Sequence, residues 1–441
     1  MDAILEKSHQ IKQALVDFVL DAEGELAVAL EAYAAEHSRC KHGDNQQDLI
    51  IDTFLTEGKV GDKTPIDLFI ESQPELTKSD RELISNWRRS FIGLFAVVQV
   101  LNDGFELRNW LTTKHYIVKA NNPQTIKDLS RCKEGDIILA RIAPITDYWT
   151  FSSNCTILGK LGKPKLAVAI GNFKDNYKYS LYGDAPELLA QAWQSVAEYH
   201  QQFIEFFGSD EVTMPGYQLN KKVAEFQDTL MQQRLTAAGI DDNKSLAEIA
   251  QEAGMDEAEI QAAANVAGAD SKAVAQLFDR KNPTKMVMPK IELPAELKKA
   301  EQVTSLSHPR WGQMFVPTYS QLKTILETQD WQSIEGGEKL IRYYLDNPTI
   351  NVFIWQRLAQ QYPQQLEKVL QHLLERPDFN IEQLPALLQE FNKPLESELP
   401  ETASVPVHLN NLFEEAVAEV DKSKSKNKTS KKVGFGFQKM N

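Results

Sequence analysis

The sequence predicts an α+β multidomain protein in which a small β-barrel-like domain is flanked by mainly α-helical domains. Three observations predict it. Apolar residues recur at three-, four- and seven-residue steps before residue 80 and after residue 186, the period of an amphipathic helix. Between them lie five or six short runs rich in β-branched and aromatic residues, punctuated by Gly, Asn, Asp and Pro. The same central stretch is basic in a chain whose formal net charge is −14.

Residues 1–80 read as a helical N-terminal region. Ile4, Ile11, Leu15, Phe18, Leu26, Leu30 and Tyr33 fall near one helix face, a loop at 38–46 turns the chain, and a second helix buries Leu49, Ile50, Phe54 and Leu55. Ser79 and Glu82 have the spacing of a capping box. Residues 81–180 read as a small basic barrel, with strands expected at 91–101, 105–111, 115–120, 136–143, 148–158 and 165–170. Asn102-Asp103-Gly104 supplies a hairpin turn, because these residues tolerate positive φ.

Residues 181–280 read as a helical domain. Leu188, Leu189, Trp193, Val196, Tyr199, Phe203 and Phe206 trace a helix stripe that stops at Gly208, and a second helix is expected at 219–238. Residues 281–318, with Pro283, Pro289, Pro294, Pro309 and Pro317, read as a Pro-rich linker holding one short helix at 295–303. Residues 319–395 read as a helical bundle with helices at 319–328, 334–345, 352–361, 363–375 and 381–391. Asn347-Pro348, Tyr362-Pro363 and Arg376-Pro377 separate four of them. Residues 396–441 read as a flexible C-terminal region, with an amphipathic piece at 409–420 before a lysine- and serine-rich tail too poor in apolar residues to order itself.

The chain has 441 residues, 42% apolar and 25% charged, the composition of a globular protein. Cys40, Cys132 and Cys155 are too few for a disulfide framework and fit a reducing compartment. Asp2, Glu6 and Asp17 interrupt the N-terminal apolar residues, so neither a secretory signal nor a transit peptide is expected. The most apolar run, 91–101, is too short to span a bilayer. The expected location is cytoplasmic, or peripheral at a membrane surface, with no transmembrane segment.

Charge is segregated along the chain. Lys plus Arg number 7 against 17 Asp plus Glu in residues 1–80, and 15 against 8 in 81–180. They number 19 against 36 in 181–420, and 7 against 1 in 421–441. The barrel and the tail are therefore cationic parts of an acidic protein. In the barrel, Arg88, Arg89, Arg108, Lys114, Arg141, Lys160, Lys163 and Lys165 interleave with Trp110 and Trp149, the candidate binding residues. Exposed bases and aromatics on a small barrel can hold phosphates and stack nucleobases. The plainer reading puts the aromatics in the core and the bases against an acidic partner, including the chain's own acidic helices. In the tail, Phe435 and Phe437 follow a basic run, and that combination suits weak docking on RNA, anionic lipid or a protein groove.

Other motifs carry less. Residues 245–268 resemble a helix-turn-helix, but Asp256, Glu257 and Glu259 stand where a DNA reader needs bases. Acids there suit the helix dipole instead. His37, Cys40, His42 and Asp44 offer H-x₂-C-x-H-x-D, but the one-residue gap between Cys40 and His42 is tight for a zinc site and no second cysteine lies nearby, so a polar loop is read and no metal is expected. G-x-S-x-G, G-x₄-G-K-[ST] and G-x-G-x-x-G are absent, and no catalytic residue or cofactor is nominated. Glu335-Gly336-Gly337-Glu338 reads as a turn or helix start.

Residues 80–114 (DRELISNWRRSFIGLFAVVQVLNDGFELRNWLTTK), continued by GDIILARIAPITDYWTFS at 135–152, resemble a conserved uncharacterised family of cyanobacteria and plastids. The resemblance implies a cytosolic or thylakoid-surface housekeeping or assembly role, and no residue role carries over from it. The expectation is a non-catalytic binding protein, an assembly or regulatory factor contacting an acidic protein. The alternative is binding of RNA or single-stranded nucleic acid by the basic, aromatic β-domain.

Overall fold

The structure is a computed structural model that describes residues 3–37, 46–120, 127, 129–237 and 286–430. The chain forms two compact units, Met1–Leu189 with Pro406–Asn441, and Ala190–Val405.

In the first unit, helices α1 (Ala3–Leu20), α2 (Glu25–His37), α3 (Gln46–Glu57), α4 (Pro65–Ser72) and α5 (Lys78–Asn86) precede the barrel. Two capping boxes set the helix starts. Thr64 pairs with Asp67 ahead of α4, and Thr77 pairs with Asp80 ahead of α5. Each satisfies two backbone donors that a helix start leaves open. The Ser79–Glu82 expectation is corrected by one half-turn: Thr77 has the free backbone geometry of the cap and Ser79 is already inside the helix. The Arg81 guanidinium donates to the carbonyls of Ile70, Gln73, Pro74 and Leu76, closing the C-terminal end of α4. Leu15, Phe54, Leu55, Ile66, Phe69, Ile84 and Trp87 form the apolar core of these helices.

The strands are β1 (Phe91–Val100), β2 (Gly104–Asn109), β3 (His115–Lys119), β4 (Ile137–Pro144), β5 (Trp149–Phe151) and β6 (Thr156–Gly159). Their order is β1-β2-β3-β5-β4-β6, and β1 also pairs with β4, which closes a five-stranded barrel with β6 outside it. β3 and β5 are parallel and the other pairs antiparallel. This is the Greek-key connectivity of OB-type barrels. Phe91, Phe95, Phe105, Leu107, Tyr116, Val118, Ile138, Ala140, Ile142 and Phe151 fill the interior. Burying each large apolar side chain contributes about 1.5–3 kcal/mol. Gly93 is required by this packing, because a Cβ there would lie 2.6 Å from the Phe95 ring.

β4 is buried on both faces. Ile138, Ala140 and Ile142 point inward, so Arg141 and Ala143 point out. The N-terminal helices cover that outer face, with Ala143 and Ile145 in their core. The expected strand 148–158 is two short strands on β4, with register broken at 152–155. The expected strand 165–170 is instead part of helix α6 (Lys163–Asn176). Pro164 favours a helix start, and Leu166, Ile170 and Phe173 bury at helical spacing. Helix α7 (Pro186–Phe207) follows.

In the second unit, β7 (Glu211–Met214), β8 (Val303–His308) and β9 (Gly312–Val316) form an antiparallel sheet in the order β9-β8-β7. Helix α8 (Gly216–Ala237) lies between β7 and β8 in the chain. The Pro-rich linker expectation is corrected here: residues 303–316 are a hairpin, and only a 3₁₀ turn, Leu297–Lys299, stands for the expected helix. Helices α9 (Tyr319–Glu327), α10 (Gly337–Asp346), α11 (Val352–Gln361), α12 (Pro363–Leu373) and α13 (Leu384–Glu390) share one large core around Tyr344, Trp355, Leu370 and Leu388. Gly336, at φ +77°, leads into α10. Lys393, 2% exposed, donates to the carbonyls of Asn347 and Ile350, and burial lowers its pKa to about 8.

Helix α14 (Val407–Ser430) packs on α6 in the first unit and buries Val407, Leu409, Leu412 and Ala416. The backbone from 422 to 430 is helical, which corrects the expectation of an unordered tail over those residues. The helix-turn-helix-like segment 245–268, Cys40, His42, Asp44, Phe435 and Phe437 lie outside the described residues.

Candidate interaction site on the barrel

Much of the barrel's positive charge is met by the first unit's own acids. Arg88 pairs with Asp67 of α4. Lys114 reaches Glu187 at 2.9 Å and donates to the Asp184 carbonyl at 2.6 Å. Lys163 pairs with Glu415 of α14 at 3.0 Å, and Lys119 with Asp103 at 2.9 Å. Arg108 lies half-buried with its guanidinium 5.7 Å from the Trp110 ring centroid.

Arg141 is the extreme case, with a fully buried side chain. It donates to Thr56 Oγ1 at 2.6 Å, Glu57 Oε1 at 3.0 Å and Ser90 Oγ at 3.1 Å. Asp52 faces it and also accepts from Lys12 and from Ser152. Burial would raise the Asp52 pKa, but Lys12 and Arg141 outweigh it and hold the carboxyl below its ordinary range. Arg141 thus joins β4 to α3 and offers nothing to an outside partner.

The aromatics are inside. Trp149 packs edge-on to Phe91 at 5.5 Å and Tyr116 at 5.1 Å, so it belongs to the core rather than to a stacking platform. Trp110 is half-buried in the turn after β2, and its carbonyl oxygen lies 2.6 Å from His408 Nε2. Asp184 organises the same turn. One carboxylate oxygen accepts from Asn109 at 3.1 Å, Thr112 at 2.8 Å and Tyr116 at 2.5 Å. Burial and then this carboxylate raise the Tyr116 pKa.

On the outer face of β2 and β3, where OB barrels hold oligomeric ligands, the register places Glu106 opposite Ile117 and Arg108 opposite His115. His115 Nδ1 lies 2.8 Å from Glu106. Charges of both signs alternate there, and no exposed aromatic stands among them.

The remaining bases gather elsewhere. Arg131 and Lys133 are exposed just before β4, while Lys160 and Lys165 are exposed just after β6. Ile137 pairs with Gly159, which brings those two segments side by side. The Lys160 side chain lies over Gly135, where a Cβ would sit 3.4 Å from its Cε. Glu134 and Asp136 share this end, and Asp136 is held by the Lys133 backbone N–H at 2.8 Å. Among the described residues, Arg131, Lys133, Lys160 and Lys165 have no ion-pair partner, nor does the exposed Arg89. Of the expected binding residues, the fold therefore brings together Lys160, Lys163 and Lys165, and sets apart Arg88, Lys114 and Arg141. Arg131 and Lys133 were legible only as charge.

The second unit holds a titratable cluster that no motif announced. Arg357 makes a bidentate pair with Asp210 at 2.6 and 2.9 Å and reaches Glu211 at 3.1 Å. His200 Nδ1 lies 3.1 Å from Ser307 Oγ. His308 Nδ1 accepts the backbone N–H groups of Arg310 and Trp311. The composition is that of a serine–histidine–aspartate set, but the geometry is not. Arg357 occupies the Asp210 oxygens, and Ser307 is 1% exposed, out of reach of a substrate. Among the described residues, no group of His, Cys, Asp and Glu is placed to hold a metal ion, and no helix is long and apolar enough to cross a membrane. An open hollow of about 500 Å³ runs along α5, but Arg81 in its wall is already committed to capping α4.

The fold and site define an α+β protein with a small closed barrel that gathers four bases without an ion-pair partner at one end. No family model, curated protein or solved structure matches the chain.

Proposed function

We propose that the chain is a non-catalytic binding protein, an assembly or regulatory factor whose basic barrel end contacts an acidic protein partner. One observation supports this reading above others. Arg131, Lys133, Lys160 and Lys165 have no ion-pair partner among the described residues, while Arg88, Lys114, Lys119 and Lys163 are paired within the first unit. Exposed charges of one sign steer an oppositely charged partner and set the salt dependence of its association. The reading places the protein in the cytoplasm, with the lysine-rich composition of residues 421–441 suiting contact with an anionic membrane surface.

A second reading is single-stranded nucleic-acid binding, favoured by the barrel's connectivity. Affinity capture with the full chain separates them. The protein reading expects partners that persist after nuclease and are lost from the variant Lys133→Glu, Lys160→Glu, Lys165→Glu. A captured set that disappears with nuclease, together with oligonucleotide binding that falls steeply with salt, overturns it in favour of the second.

A further inference from the structure

We propose that β6 is a docking edge onto which an extended, acidic segment of a partner protein adds as a further strand. The proposal rests on the acidic-partner reading above and names how that partner is held. β6 pairs with β4 alone, and among the described residues no strand lies along its other edge. Thr156, Ile157 and Leu158 are all exposed, Ile157 at 38% and Leu158 at 39%.

Edge strands are normally blunted by a charge, a proline or a covering element, because their open N–H and C=O groups invite another strand. β6 contains no charge and no proline. Its side chains alternate across the sheet, so Ile157 and Leu158 present one apolar contact on each face of an added strand. The charge that would repel a basic strand sits just beyond its end, on Lys160 and Lys165, with Arg131 and Lys133 across the Ile137–Gly159 pairing. That collar, in which the four bases outnumber Glu134 and Asp136, favours a segment whose centre is apolar and whose end meeting the collar is acidic. Backbone hydrogen bonds then hold the strand, and the two apolar contacts and the flanking carboxylates give preference. The outer face of β2 and β3 lacks this combination, since its charges alternate in sign.

The test uses the full chain and a capped decapeptide with Val and Thr at its centre and Glu at both ends. Binding is read by fluorescence anisotropy, and the contact by amide hydrogen exchange. The expected result is binding that slows exchange at residues 156–159. N-methylation of alternate central amides should weaken it by about tenfold or more, the worth of one or two lost hydrogen bonds. The exposed variant Lys133→Glu, Lys160→Glu should lose it, and a Lys-flanked peptide should not bind. Equal binding by the N-methylated peptide, without protection at 156–159, overturns strand addition and leaves the acidic-partner reading standing. Absence of binding by either Glu-flanked peptide overturns both.

Discussion

Arg141 Nε and Asp52 Oδ2 face one another at 3.7 Å between barrel strand and helix, and neither atom has a hydrogen-bond partner. That spacing is long for a hydrogen bond but short for two buried charges. Removing Asp52 leaves Arg141 with Glu57 as its remaining carboxylate and leaves Lys12 and Ser152 without their acceptor. Asp52→Ala should therefore destabilise the first unit by about 1–3 kcal/mol, the cost of leaving buried polar groups unsatisfied. The Trp87 ring, 5.5 Å from the Lys12 ammonium, offers a fluorescence probe for urea unfolding. Asp52→Leu combined with Arg141→Met should cost less than the sum of the single changes. Strict additivity would show that the two charges do not act as a pair.

Asp184 holds the β2–β3 turn through three side chains on one oxygen. Asp184→Ala should cost about 2–4 kcal/mol, since hydrogen bonds to a charged group are worth more than neutral ones and their loss leaves buried donors. A double-mutant cycle with Tyr116→Phe should give a coupling of about 1 kcal/mol or more. Ultraviolet titration should also show the Tyr116 phenol ionising at lower pH in Asp184→Ala, and an unchanged titration would contradict the assigned contact.

Acid should weaken the second unit through its histidines. Burial first, and the neighbouring His200, push the His308 pKa down to about 4, with Asp210 opposing and Arg357 and Arg310 adding to the push. His200 is lowered too, mainly by burial. Below about pH 6.5 the unfolded chain takes up protons that the folded sites refuse. Their contribution is therefore whole above pH 6.5 and declines as pH falls towards 4. His308→Asn keeps an acceptor for the turn and removes one titrating group. Urea midpoints at pH 7.5 and 4.5 should differ less in this variant than in the parent, and an equal difference would rule His308 out.

The fold was largely legible where periodicity was strong. The stripe through Val196, Tyr199 and Phe203 is buried along α7, and residues 352–361 are helical as the spacing predicts. Residues 303–308 were missed because Thr304, Ser305 and Ser307 are buried polar residues, so the strand shows no apolar alternation. Arg141 was legible only as one of several bases that could meet the chain's own acidic helices, and not as the buried one. A base on the outer face of β4 looks like surface until α3 covers it with Asp52 and Glu57. Charge along the chain thus located the cationic region, but only tertiary pairing shows which bases remain free.

The first unit draws its last elements from beyond the second, since α14 must return to α6 before Leu409 and Leu412 are covered. During synthesis at about 5–20 residues per second, the barrel would wait on the order of tens of seconds on the ribosome for that helix. Throughout that interval Lys163 lacks Glu415 and the apolar side of α6 lacks its cover, so a nascent chain displays a stickier surface than the finished one.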